Sequence, residues 1–479
     1  MNVSFIDYAI IIIYLIGIAV FGIRTSGRQK TIKDYFMGSK EIPWWAVCFS
    51  IVAAETSTLT FISIPGLAYL TNMNFLQLTF GYLIGRIIIA FVFLPRFTKG
   101  ELKTAYTYLE FRFGNKTRSL ASIIFLFTRL AADGVRLFAT AIPLKLILNV
   151  SYVEAIILIA IIAFIYTFTG GLKAVIWVDV IQMLTYLSGA IISIFFLSNL
   201  LPSGLSNSLS TSFDTGKLSL INLGFEKGIF DFFKQPYTLL GGLLGGAFLS
   251  MASHGTDQLI VQRLLAVSSL RQSQKAIITS GIIVIFQFAI FLFVGILLFG
   301  YYGSLDIRSD VIFPKFIIEV LPSGFIGLII AGLLAAALST LAGSISSLAS
   351  SSMIDLYNPI FGGLKSETQK LMIGKIFTTI WTLLLISSAL FFMNTSQTVV
   401  ELALSIASFT YGGLLGTFLL GFFNKKAKQK DAIIGFVAGI LIMLLVISLK
   451  LVAWTWFTLV GVVITILVGS FSGFISDRK

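Results

Sequence analysis

The chain has 479 residues, of which 57% are hydrophobic and only 11% charged, with a formal net charge of +13 and a mean hydropathy of +0.97. Such values exclude a water-soluble globular domain of ordinary composition, and the dispersal of the basic residues over many short loops excludes a nucleic-acid footprint. One cysteine, Cys48, excludes an intrachain disulfide, and one histidine, His254, excludes the ligand clusters of zinc or copper sites.

In chain order, apolar segments long enough for a bilayer core predict an all-α integral membrane protein with about thirteen transmembrane helices. They fall at 4–24, 44–71, 75–98, 118–148, 151–169, 172–200, 237–262, 274–301, 323–356, 372–393, 397–423, 430–449 and 451–475. The first segment has no basic leader and no small-residue cleavage site, so it reads as a retained helix. Lys and Arg concentrate in the alternate loops that begin with Arg24 to Lys40, 24 against seven on the other side. The positive-inside rule then predicts a multi-pass protein of the cell membrane with its N-terminus outside and its C-terminus cytoplasmic. The longest loop, Pro202 to Pro236, falls outside and is Ser-rich; a short amphipathic helix there is expected.

The second and seventh spans differ from the rest. SIVAAETSTLTFISIPG and GGLLGG followed by SMASHGTDQ mix small and polar residues at bilayer depth, where an unpaired backbone group costs several kcal/mol unless protein or a water-lined cavity satisfies it. Both spans are therefore predicted to be broken. Each opens a unit of five helices, 44–200 and 237–423, and an odd number gives the two units opposite orientations. Spans 4–24 and 430–475 flank this pair in a single transporter domain. That is the layout of an inverted repeat with its site at the midplane.

A sodium ion needs several oxygens, which carbonyls freed at a helix break and hydroxyls on a facing helix can supply. In the ninth span, AAALSTLAGSISSLASSSMIDLY sets Ser339 and Thr340 side by side with the carbonyl of Ala336 one turn earlier. Serines in such helices also simply bond their own backbone and allow close packing, so the motif alone decides little.

The segments PWWAVCFSIVAAETS, YTFTGGLKAVIWVDVIQ, GTDQLIVQRLLA and AAALSTLAGSISS resemble, in order, the signatures of the sodium/solute symporter family, which includes sodium-coupled sugar, proline, iodide and sialic acid carriers. The resemblance implies a leucine-transporter type of inverted-repeat fold with extra helices at each end. It further implies that sodium is held by Ala53 and Thr56 of the second span and by Ala336, Ser339 and Thr340 of the ninth. Members with a second sodium carry serines two and three positions after the hydroxyl pair. Here these are Ala342 and Gly343, so one sodium per cycle is expected. Asp179 resembles the family carboxylate near the sodium exit path, and a carboxylate in a membrane helix is costly unless functional or paired.

The solute region is less distinct. Glu55 lies at the presumed break, with the hydroxyls of Thr58 and Thr60 beside it. Arg129, Asp133 and Arg136 share a helical face, where Asp133 could neutralise one arginine and leave the other for a carboxylate; a purely structural network of Glu55, Arg86, Asp133 and Arg136 is the alternative. Sialic acid carriers of the family use an arginine on this helix, aligned nearer Ala132, about one turn from Arg136. His254 and Asp257 either meet solute or satisfy freed backbone, Gln258, Gln262 and Arg263 anchor the cytoplasmic end, and Phe75 and Gln77 line the outer cavity. No nucleophile, base or metal constellation of an enzyme is present. The expected activity is sodium-coupled symport of a small organic solute, such as a sugar, a carboxylate or a sialic-acid-like acid, by a monomer in the lipid bilayer. A proton-coupled carrier of an organic anion or amino acid, titrating Glu55 or Asp179, is the alternative.

Overall fold

The computed structural model describes residues 3–27, 29–38, 41–99, 102–148, 150–226, 228–361, 366–393 and 399–476. Among them the secondary structure is helical throughout, with no strand. Eight helices are long and apolar enough to cross a membrane, and one pair bent at a short break passes the same test when taken together. The principal helices are α1 (Phe5–Ser26), α2 (Trp44–Glu55), α3 (Thr58–Leu70), α4 (Leu76–Ile88), α5 (Asn115–Leu148), α6 (Tyr152–Leu200), α7 (Gly246–Gly255), α8 (Gln258–Leu264), α9 (Leu270–Tyr302), α10 (Phe325–Ser351), α11 (Glu367–Phe392), α12 (Val399–Phe423), α13 (Gln429–Ser448) and α14 (Phe457–Ser476).

α6 has 49 residues, about 74 Å at 1.5 Å per residue, more than twice a bilayer core of roughly 30 Å. It is two helices joined at Gly171, whose φ of 56° breaks the helical geometry. Only glycine adopts that conformation at little cost, and a Cβ there would lie 2.3 Å from the Tyr35 carbonyl oxygen. The short helix Ile32–Met37 that brings Tyr35 to this corner was not anticipated from the sequence. Neither were Ala105–Phe113 in the next loop on the same side and Ser309–Glu319 before α10.

The start of α1 is fixed by a capping box between Ser4 and Asp7. The other oxygen of Asp7 accepts from the amides of Gly324 and Gly327, each at 2.7 Å. One carboxylate thus serves the positive ends of α1 and α10 together, which sets their N-termini at the same level. α10 lies at the centre, with almost every residue buried, packed along α6 and against α1, α2, α5 and α11.

The second span is broken. α2 ends at Glu55, Thr56 turns to extended backbone (φ −86°, ψ 102°), and α3 restarts from a Ser57 cap whose hydroxyl accepts from the Thr60 amide; the axes of the two halves differ by 65°. The seventh span is interrupted as well, since α7 stops at Gly255 and α8 begins after Asp257, which caps it by accepting from the Leu259 amide at 2.9 Å. The long loop after α6 holds two short helices, Gly204–Asp214 and Ile229–Lys234.

Candidate functional site

A helix that stops leaves its last carbonyls without an intrahelical donor. At the end of α2 some are answered locally: the Thr56 amide reaches the carbonyls of Val52 and Ala53, both at 3.2 Å, and the Thr56 hydroxyl donates to Val52 at 2.9 Å. Ala53 and Thr56 are fully buried. Two partners of Thr56 escaped the sequence reading. Gln287 of α9 donates to its hydroxyl through Nε2, while Tyr186 of α6 lies 3.3 Å from it and donates to Gln287 Oε1 at 2.9 Å. A lone glutamine in the apolar run IVIFQFAIFLF was the available signal.

α10 runs past this break. The Thr58 hydroxyl faces the Leu333 carbonyl at 3.5 Å and accepts from Thr140 of α5 at 2.9 Å. Ser57, Thr58 and Thr340 line one cleft of about 270 Å³ together with Asp133, Arg136 and Thr140. Thr340 donates to the Ala336 carbonyl at 3.1 Å, and Ser339, wholly buried, donates to Asp179 at 2.6 Å. The break and Thr340 therefore border one cleft, furnished with carbonyl and hydroxyl oxygens, while the neighbouring Ser339 turns to Asp179. Neutral carbonyl and hydroxyl oxygens of this kind suit a hard monovalent cation. Among the described residues no group of three His, Cys, Asp or Glu side chains gathers for any other metal.

The ionisable groups singled out in the sequence form three separate clusters. Glu55 pairs with Arg86 of α4, which also donates to Ser280 of α9 at 2.8 Å and to His254 Nε2 at 3.0 Å. Since a guanidinium can only donate, His254 carries its proton on Nδ1 and gives it to Ser253, whose own hydrogen goes to the Leu249 carbonyl. Glu55 and His254 are thus neutralised inside the half made by α2, α4, α7 and α9.

The second cluster joins α5 to the break of the seventh span. Arg129 pairs with Asp257, which also accepts from Tyr411 of α12 at 3.0 Å. Asp133 lies 2.8 Å from Arg136 and 3.5 Å from Arg129, and accepts from Ser344. Asp133 does not leave Arg136 free: because Asp257 claims Arg129, Asp133 turns to Arg136. Arg136 remains a quarter exposed and borders both the cleft at the break and a second of about 350 Å³ lined by Arg129, Ala132, Asp257 and Tyr411. The third cluster is Asp179, which accepts from Ser50, Ser339 and Arg263.

The remaining sequence candidates sit apart from these. Thr60 is half-buried in the first turn of α3. Phe75 stacks on Phe288 at 5.1 Å and contacts Tyr237. Gln77 holds the long loop after α6, donating to the carbonyls of Asn74 and Tyr237 and accepting from the Asn222 amide. Gln258 accepts from the Ala105 amide and Gln262 donates to the Phe36 carbonyl, binding α8 to both short loop helices.

Comparison with known proteins adds a family and a fold. Residues 35–439 match the sodium:solute symporter family. The sodium/sialic acid symporter SiaT of Proteus mirabilis is 30% identical over 455 residues, covering 92% of this chain and 89% of that protein. The sodium/sialic acid symporter NanT of Aliivibrio fischeri is 30% identical over 97% of this chain and 92% of its own. Human sodium-coupled monocarboxylate transporter 1 is 27% identical over 92% of this chain and 72% of its own. A solved substrate-bound, outward-open structure of a sodium-coupled sialic acid symporter superposes with a TM-score of 0.89 at 26% identity, covering 98% of both chains.

Proposed function

Because the chain belongs to the sodium:solute symporter family, we propose that it carries a small organic acid of the sialic-acid or monocarboxylate type inward, with one sodium ion per cycle, by alternating access. Sodium is its coupling ion, the protein is a multi-pass membrane transporter, and it is not an enzyme. The observation that carries the rest is the break between Glu55 and Thr58, which shares a cleft with Thr340 of α10.

In this reading sodium binds between the carbonyls of Ala53 and Thr56 and the carbonyl and hydroxyls of Ala336, Ser339 and Thr340. Its charge draws the α2–α3 break onto α10, ordering Thr58 and Thr60 for the solute. The solute carboxylate meets Arg136, whose outward donors face both clefts, while His254, Asp257, Phe75 and Gln77 shape the surroundings. A ligand shifts an equilibrium only by its differential affinity for the two states, so coupling requires sodium and solute to strengthen each other's binding. Asp179, which accepts from Ser339 and is paired with Arg263, lies on the exit path proposed for the ion.

The proposed architecture has thirteen crossings in one transporter domain. Two inverted five-helix units, 44–200 and 237–423, are flanked by 4–24 and 430–475, the N-terminus is outside, the C-terminus cytoplasmic, and the monomer is the transporting unit. Similarity to carriers named for sialic acid and for monocarboxylates and the partly exposed Arg136 favour an acid over a neutral sugar. Reconstitution into liposomes tests the proposal. An inward sodium gradient drives uptake of an acidic sugar or a monocarboxylate; uptake driven equally by a proton gradient without sodium contradicts it.

A further inference from the structure

The seventh span begins well before its break. From Leu239 to Gly255 the chain is one continuous helix, with a π-helical turn at Gly241–Gly245. The connection from α13 to α14 lies across that first turn. Its short 3-10 helix, Trp454–Trp456, runs directly into α14, and the approach is so close that a Cβ at Gly245 would lie 2.3 Å from the Thr455 carbonyl oxygen. Two helices therefore bring their N-termini, the positive ends of their dipoles, to one place.

The side chains there point to a guest. Thr455 is 1% and Trp456 6% exposed, yet neither the Thr455 hydroxyl nor the Trp456 indole N–H has a hydrogen-bond partner among the described residues. An unmet buried polar group costs about 1–3 kcal/mol, and such groups ordinarily hold a water or an ion. Both lie around a single point. A Cβ on Gly241 would have Thr238 Oγ1 at 2.8 Å, Trp456 Nε1 at 3.5 Å and Thr455 Oγ1 at 3.6 Å as its three nearest neighbours beyond the local backbone. Thr238 is wholly buried, and its oxygen accepts from the Gly241 amide at 3.2 Å, which leaves its own hydrogen without an acceptor among the described residues.

Three hydrogen-bond donors thus converge where glycine contributes no side chain. An indole only donates, which does not suit a cation, and a water, with two hydrogens of its own to place, meets a surplus of donors. A guest that only accepts satisfies all three at once. We propose that Thr238, Thr455 and Trp456 bind a small monovalent anion of the halide class beside Gly241, between the first turns of the seventh span and α14. The anion pins the α13–α14 hairpin to the seventh span. It lies about 21 Å along the helix from the break at Gly255, apart from the sodium and solute sites proposed above.

Melting curves of purified full-length protein, taken at fixed sodium while methanesulfonate is replaced stepwise by bromide at constant ionic strength, test the site. Bromide should stabilise the wild type with a saturating midpoint. Thr455→Val keeps the shape of its side chain and Trp456→Phe keeps a ring against Phe232 and Phe233; each deletes one donor and should raise that midpoint about tenfold or more. Gly241→Ala, whose methyl takes the place of the anion, should abolish the bromide effect; should that variant not fold, the two donor deletions carry the test alone. Crystals grown in bromide should show an anomalous peak in contact with Trp456 Nε1, Thr455 Oγ1 and Thr238 Oγ1. A wild type equally stable in both salts, or density there with no anomalous signal, as a water would give, refutes the anion. A bromide effect that Thr455→Val and Trp456→Phe leave unchanged puts the anion elsewhere and refutes the site.

Discussion

Replacing Ser339 with alanine removes a hydroxyl that has two duties in the proposed site: its hydrogen goes to Asp179 at 2.6 Å, which leaves its lone pairs for the ion. The fold should tolerate the change, because Asp179 keeps Ser50 and Arg263, and the deletion leaves a space smaller than a methyl group. The ion should not tolerate it. A polar contact to a charge is worth about 1.5–3 kcal/mol net, and each 1.4 kcal/mol is tenfold in affinity, so the sodium concentration for half-saturation should rise roughly 10- to 150-fold. Because an ion that binds only the folded state raises its stability with the logarithm of concentration, melting curves of purified protein across a sodium series, at constant ionic strength with choline, read this shift directly. Ser347→Ala is the control: that serine is buried on the same helix and bonds only a carbonyl one turn back. It should leave the sodium midpoint within about twofold, an energy below roughly 0.5 kcal/mol. A Ser339→Ala midpoint equal to that of Ser347→Ala would refute the placement of the ion.

Arg136→Lys should raise the half-saturating concentration of an acidic solute about tenfold or more by replacing a planar two-donor contact with a point charge, while sodium-dependent stabilisation without solute stays unchanged; uptake assays and melting curves separate the two. Glu55→Gln leaves the Arg86 guanidinium buried without its counter-charge, which should cost about 3–5 kcal/mol of stability and appear as a lowered melting temperature that Arg86→Gln partly restores. Gly171→Ala forces a Cβ to 2.3 Å from the Tyr35 carbonyl oxygen at a φ of 56° and should impair folding, whereas Gly17→Ala, with nothing within 4 Å of its Cβ, should change stability by less than about 1 kcal/mol; detergent-extracted yield and melting temperature report both. With Cys48 buried, cysteines introduced at the exposed Asn207 and Lys425 should react with an impermeant reagent on whole cells at the first position and only after lysis at the second.

What the sequence reveals and what it hides follow from the range of the interactions involved. The break at Glu55 to Thr58 is legible because it is local: a polar, small-residue cluster at bilayer depth cannot stay helical without partners, and the extended Thr56 and capping Ser57 stand inside it. The corner at Gly171 is legible for the same reason, as a paired glycine between two apolar runs. The charge pairing is not. Arg129 and Asp133 suggest a pair by their spacing of four, yet Asp257, far along the chain, takes Arg129 and hands Asp133 to Arg136. Likewise Asp179 shows in the sequence as an isolated carboxylate, and only the packing of α8 against α2 and α10 brings Arg263 to it. The short helices Ile32–Met37 and Ala105–Phe113 were missed because each is held by tertiary contacts, Gln262 to the Phe36 carbonyl and the Ala105 amide to Gln258, and not by an apolar periodicity of its own.

Density between α2 and α10, in maps of the same protein prepared once in sodium and once in choline, bears most directly on how the ion is held. A peak within coordination distance of the Ala53 and Thr56 carbonyls, the Ala336 carbonyl and the Ser339 and Thr340 hydroxyls, present in sodium and gone in choline, is the expected result. An ion bound elsewhere, with those oxygens unchanged between the two salts, would contradict it.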